Sequence, residues 1–142
     1  MDEYYMQLAI KQAKKALKYN EVPVGAIIVK NNKIISKAFN KKEKNKDTTK
    51  HAEIIAISKA CKKTKNWRLD DCEIYVTMEP CMMCCGAIEQ SRIKKIVYCI
   101  PNSNFGAVES KFKILENNIN IVKIENIEYI DMVKQFFKDK RK

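Results

Sequence analysis

Glycine, proline and histidine are scarce in this 142-residue chain, which has three Gly, three Pro and a single His. So little glycine and proline excludes a collagen-like or low-complexity chain. Long apolar runs are missing too. The longest, Val22 to Val29, falls far short of the roughly 20 residues a membrane helix needs. The N-terminus opens on Asp2 and Glu3 instead of a basic segment leading into an apolar one. No standard secretory signal and a cytoplasmic location are therefore expected. Acidic residues are the minority charge, 17 against 28 Lys and Arg, and the net charge of +11 is nearly all Lys. That balance suits a polyanionic partner, and on charge alone a solvated basic surface suits it as well.

What remains is ordinary for a globular protein, with 46% hydrophobic and 32% charged residues. At this length one core is expected, in a single domain over residues 1–142. Six cysteines are present. In a cytoplasmic chain they are not expected to form a disulfide framework. Cys81, Cys84 and Cys85 crowd within five residues, and such clustering points to a metal.

Periodicity predicts a helix over residues 2–19, with Tyr5, Leu8, Ala9, Ala13, Ala16 and Leu17 on its apolar face. Residues 24–29 read as a buried strand, Asn31-Asn32 as a tight turn, and 34–39 as the returning strand of a hairpin. Residues 40–50 read as a basic loop. A helix is expected from His51 to about Lys62, capped by Thr48 or Thr49 and burying Ile54, Ile55 and Ile57. A strand over 73–78 is ended by Pro80, and a helix over 81–91 follows. Strands are expected over 95–100 and 119–124. A closing helix over 127–138 carries Ile130, Val133 and Phe137 on one face. This order gives an α/β fold: a three-layer α-β-α sandwich around a five-stranded mixed sheet.

Two short stretches carry the chemistry. His51-Ala52-Glu53 and Pro80-Cys81-Met82-Met83-Cys84 each open a helix. Cys81 and Cys84 are one helical turn apart, and a helix N-terminus favours the thiolates that zinc takes. His51 supplies a third ligand. Three protein ligands leave a fourth position open, which is the catalytic arrangement of zinc and not the structural one. Glu53, two residues after His51, is placed to move protons beside the metal without ligating it. The pattern H-x-E with P-C-x-x-C is the signature of zinc-dependent nucleobase deaminases. Cys85 lies too far round the helix to join the ligands and reads as packing, and Cys61, Cys72 and Cys99 read as core or surface thiols. Met82 and Met83 read as gap fillers.

On these residues the chain resembles the cytidine deaminase-like superfamily, and within it the bacterial tRNA-specific adenosine deaminases. The resemblance runs through Val22-Pro23-Val24-Gly25-Ala26, Asn40, His51-Ala52-Glu53-Ile54 and Asn66-Trp67-Arg68-Leu69. It continues through Tyr75 to Cys84, Gly86-Ala87-Ile88, Ser91-Arg92-Ile93 and the closing Phe136-Phe137-Lys138 with Lys140-Arg141. It implies one zinc per chain on His51, Cys81 and Cys84, with Glu53 as the proton shuttle for a zinc-activated water. The reaction it implies is hydrolytic deamination of adenosine to inosine at the wobble position of a tRNA anticodon loop. It further implies Asn40, Val24 and Asn102 as substrate-binding residues, Phe137, Lys138, Lys140 and Arg141 as RNA-binding residues, and a homodimer.

The chain departs from the family pattern at Asp47-Thr48, where Asp-Pro is usual, and at Cys85, where a small residue is usual. It departs again over Pro101 to Ala107. Read without gaps from Ile96 through Leu115, Asn102 falls where relatives carry an acidic residue beside the target nucleotide. Two rivals stay open at this point. A deaminase of free guanine, cytosine or a nucleoside shares the zinc site, although the basic tail argues against it. A zinc-stabilised RNA-binding module has no use for Glu53.

Overall fold

The computed structural model describes residues 1–115 and 119–140. Its elements, in chain order, are α1 (Asp2–Leu17), β1 (Gly25–Lys30), β2 (Lys33–Phe39), α2 (Lys42–Asn45), α3 (Ala52–Thr64), β3 (Cys72–Met78), α4 (Met82–Gln90), β4 (Lys95–Ile100), β5 (Asn120–Lys123) and α5 (Ile127–Lys140). The sheet runs β2-β1-β3-β4-β5. β1 pairs antiparallel with both β2 and β3, while β3, β4 and β5 are parallel. The expected hairpin closes on Asn31 and Asn32, both left-handed at φ 49° and 64°. Two such residues make the tight turn whose twist matches a hairpin, and Asn tolerates that region better than most side chains.

Side chains alternate across the central strands and so fill two cores. Ala26, Ile28, Ile74, Val76, Ile96 and Tyr98 face α3 and α4, while Ile27, Val29, Tyr75, Val97 and Cys99 face α1 and α5. Helices on both faces give the expected three-layer sandwich. Gly25 decides how closely α1 approaches. A Cβ there would lie 2.0 Å from the Ala9 carbonyl oxygen and 2.5 Å from the Ala13 nitrogen. Only a glycine lets the helix backbone rest on the start of β1.

Four sequence expectations are corrected. The stretch over 40–50 is not all loop, because Glu21 accepts from the backbone nitrogens of Glu43 and Lys44 at 3.0 and 2.6 Å and fixes α2 there. Neither Thr48 nor Thr49 caps α3; His51 holds the cap position, and Thr49 bonds to Asp47 instead. The buried stripe of α3 is Ala52, Glu53, Ala56 and Ala60. Ile54, Ile55 and Ile57 are only half-buried, because small residues let the helix sit close to the sheet. On α5 the buried face is Tyr129, Val133 and Phe136, and Phe137 points outward at 41% exposure. Adjacent helix residues lie about 100° apart, so only one of the two phenylalanines reaches the core.

Candidate active site

The site lies where parallel strands end and helices begin. β3 runs out at Met78, and Glu79-Pro80 carries the chain to Cys81, the residue that caps α4. His51 caps α3 beside it. Both residues enter their helices from extended backbone, with ψ of 152° at His51 and 178° at Cys81. Their side chains therefore turn off the helix ends and meet. The His51 Nδ1 lies 3.6 Å from the Cys81 Sγ and 3.6 Å from the Cys84 Sγ. All three donor atoms fall within 4.8 Å of one another.

This triangle fits zinc. Tetrahedral zinc, with Zn–S about 2.3 Å and Zn–N about 2.0–2.1 Å, sets sulfur and nitrogen about 3.6 Å apart. The hydrogen bond to Cys84, and then the His51 ring beside it, bring the Cys81 pKa down to about 4. The same bond, with burial, drives Cys84 far up, and the bond to Cys81 raises His51. The donors thus share protons that a cation would displace. Cys85 is buried and directs its sulfur at the Pro80 carbonyl, so it stays out of the set as expected. Cys61, Cys72 and Cys99 are free thiols away from the three donors.

Glu53 sits in the first turn of α3, 4% exposed. Burial raises its carboxyl to about 7, against the opposing pull of the backbone hydrogen bond and of His51. A carboxyl poised there can take and give protons near neutral pH.

These residues open onto a cleft of about 460 Å³, lined also by Val24, Asn40, Met83, Asn102 and Phe105. The structure therefore brings Val24, Asn40 and Asn102 to the same cavity as Glu53 and the donor triangle. Asn40 is 8% exposed, and its Nδ2 donates to the Val22 carbonyl at 3.4 Å. Its Oδ1 is buried and finds no partner among the described residues. An orphaned buried acceptor on a cleft wall is open to a donor from a ligand or an ordered water. The Oδ1 of Asn102 accepts from the Phe105 backbone nitrogen at 3.2 Å, which closes a turn at the cleft mouth. Met82 and Met83 do not fill gaps: they are 47% and 38% exposed, and Met83 lines the cleft.

A second groove, of about 420 Å³, shares Val22, Asn40 and Lys42 with the cleft and runs on to Phe136, Phe137 and Lys140. Phe137 and Lys140 thus line a groove that adjoins the cleft. Lys138 is on the same helix, and Arg141 falls outside the described residues.

One residue of the site was not legible in the sequence. The buried carboxylate of Glu79 accepts from the backbone nitrogens of Asn102, Val108, Glu109 and Ser110, and from the Ser110 hydroxyl. Burial opposes its ionisation, but these bonds outweigh burial and hold it below the usual carboxylate value. A glutamate before proline at a strand end reads only as a loop charge. Its five donors come from a loop with no periodicity to reveal them.

Comparison with known proteins bears on this geometry. Residues 1–100 match the family model for the cytidine and deoxycytidylate deaminase zinc-binding region. A tRNA-specific adenosine deaminase of Aquifex aeolicus is 48% identical over 114 residues, which cover 80% of this chain and 76% of that protein. A solved structure from work on A-to-I editing by tRNA:A34 deaminases at the wobble position of transfer RNA superimposes with a TM-score of 0.80 at 34% identity. It covers 86% of this chain and 98% of that one. A guanine deaminase from Bacillus subtilis superimposes with a TM-score of 0.68 at 30% identity, covering 96% of this chain and 93% of that one. With its donor triangle, buried glutamate and end-to-end likeness, the chain belongs to the zinc-dependent cytidine and deoxycytidylate deaminase family, on the branch of the tRNA-specific adenosine deaminases.

Proposed function

We propose that the protein deaminates adenosine to inosine at the wobble position of a tRNA anticodon loop, hydrolytically and with zinc as its metal. The observation that carries this is the adjacency of two cavities. The donor triangle and Glu53 lie in a cavity that shares Val22, Asn40 and Lys42 with a neighbouring groove bearing Phe137 and Lys140. A free base fills only the cavity. A nucleotide in a loop has neighbours, and these need a track with aromatic faces and cations.

His51, Cys81 and Cys84 would hold the metal, which would supply Lewis acidity and make water a nucleophile near neutral pH. Glu53 moves the protons. It takes one from the attacking water and gives it to the ring nitrogen next to the amino-bearing carbon, then takes the second from the new hydroxyl and delivers it to the departing amine. Water and adenosine become inosine and ammonia. Asn40 presents an acceptor to a base N–H, and Val24 closes an apolar wall of the cavity. The target nucleotide must leave its stack, which an anticodon loop permits at low cost.

The homodimer that the family resemblance implies remains part of this reading. Among the described residues no helix is long and apolar enough to cross a membrane. The decisive experiment incubates purified zinc-loaded protein with an anticodon stem-loop RNA and, in parallel, with guanine, cytosine and free nucleosides. Inosine in the stem-loop and little ammonia from the free compounds is the expected result. Fast turnover of guanine with an inert stem-loop would overturn it.

A further inference from the structure

We propose that Glu79 is a positioning residue that sets substrate recognition, by holding the loop of residues 101–110 against the cleft. This deepens the reading above and rests on it for the identity of the substrate. The loop forms no helix or strand, so its backbone donors need partners from elsewhere. One carboxylate supplies most of them. Glu79 accepts from four backbone nitrogens, at 3.0 Å from Asn102, 3.1 Å from Val108, 2.8 Å from Glu109 and 2.9 Å from Ser110, and also from the Ser110 hydroxyl.

The chemistry requires a carboxylate at this point. An ionised carboxylate is all acceptor, with about four lone-pair sites and no hydrogen to place. Charge strengthens each of its bonds. A glutamine in the same volume turns an amide NH₂ toward backbone N–H groups, and donors then face donors. The loop is also wrapped too closely to shift. A Cβ on Gly106 would lie 2.4 Å from the Glu79 carboxyl carbon and 2.6 Å from the Asn102 carbonyl oxygen.

The loop is registered on the metal helix as well. Ala107 donates to the Pro80 carbonyl at 2.9 Å, and Gly106 bridges to Cys81. Glu79 therefore fixes one rigid relation between the start of α4, which carries Cys81 and Cys84, and the loop that faces them.

On its open side that loop presents Asn102 and Phe105 to the cleft. Phe105 is 66% exposed, so packing does not hold it. Its backbone nitrogen bonds to the Asn102 side chain, and the Asn102 backbone nitrogen bonds to Glu79. The order of the wall thus passes from Glu79 to Asn102 and then to Phe105. Glu79 also borders the cleft, but its carboxylate oxygens are taken up by the loop donors, so its effect passes through the loop.

The test compares zinc-loaded unaltered protein with Glu79→Gln and Ser110→Ala, the second of which removes one donor and spares the carboxylate. Hydrogen exchange, read without RNA, is expected to speed up about ten-fold or more at residues 102–110 in Glu79→Gln, while α3 and α4 keep their protection and zinc stays at one per chain. Ser110→Ala should show a smaller change in the same segment, so the series stands even if Glu79→Gln folds poorly. On the stem-loop, Glu79→Gln should raise KM about ten-fold and change kcat much less, the size expected for losing charge-assisted hydrogen bonds. In a background of Asn102→Ala and Phe105→Ala, the same substitution should change KM less than about two-fold, because the residues it acts through are gone.

Unchanged exchange in the loop, or a full KM effect in the doubly altered background, would overturn the role of Glu79. Loosening spread equally over α3 and α4 would make it a residue of general stability, and would overturn the role as well. An unaltered protein inert toward the stem-loop would instead sink the functional reading, while exchange still judged Glu79.

Discussion

At the scale of single residues, the proposed roles of metal-holding and proton-moving groups fall on different side chains, so the two can be tested apart. Cys84 is buried with its sulfur in the donor triangle, so Cys84→Ala should lose most of the zinc in metal analysis. Glu53 is outside that triangle. Glu53→Ala should keep one zinc per chain and the fold, yet lose single-turnover rate by about 10²–10⁴-fold, the usual range for a general acid–base group. Near-normal turnover would remove Glu53 from the reaction. Asn102 makes a finer test. It lies on the cleft, its backbone tied to Glu79 and its Oδ1 to Phe105. An aspartate keeps the bond to Phe105 and adds charge. A charged acceptor bonds a ribose 2′-OH about twice as strongly as a neutral one. Asn102→Asp should therefore raise the preference for a ribo- over a deoxyribo-adenosine in the same stem-loop. Equal ratios in the two proteins would place Asn102 away from the ribose.

At the scale of elements, close approach of backbone to backbone sets the geometry. α1 rests on β1 at Gly25 with no room for a Cβ. Gly25→Ala must push the helix away, and overpacking of this kind typically costs about 1–3 kcal/mol. Melting should fall by about 2–4 °C for each kcal/mol in a chain near this size. An unchanged Tm would mean that α1 shifts freely.

The same principle explains which elements could be read from sequence. The strands announced themselves as short apolar runs, and β4 falls on the expected residues 95–100. The donor triangle was legible because each half opens a helix and carries its own spacing. The buried face of α3 was misread because isoleucine outranks alanine on any hydrophobicity scale. Close packing against the sheet favours the small residue regardless. On α5 the core side is marked by Tyr129, whose hydroxyl donates to the Pro23 carbonyl at 2.6 Å and accepts from Thr77 at 2.8 Å. A tyrosine with two buried polar partners leaves no period in the sequence.

At the scale of the whole molecule, the excess of cations and the shape of the surface point the same way. The net charge is +11. Lys42 and Lys140 line the groove that extends the cleft, and Phe137 stands exposed between core and solvent. If these groups hold phosphates, binding releases counterions and weakens with salt. If they are only solvated, salt changes little. Each phosphate contact contributes about 0.7–0.9 to the slope of log affinity against log salt. Binding of the stem-loop should show a slope of several units. Removing residues 138–142 takes away Lys138, Lys140, Arg141 and Lys142. If two of those four cations reach phosphates, the slope should fall by about 1.4–1.8. Phe137→Ala should act differently, because stacking is not ionic. It should weaken binding at every salt concentration and leave the slope alone. The two variants thus separate charge from stacking along one groove. A truncated protein with an unaltered slope and normal deamination would return the tail to a solvated end, and the net charge would then need a different polyanionic partner or none.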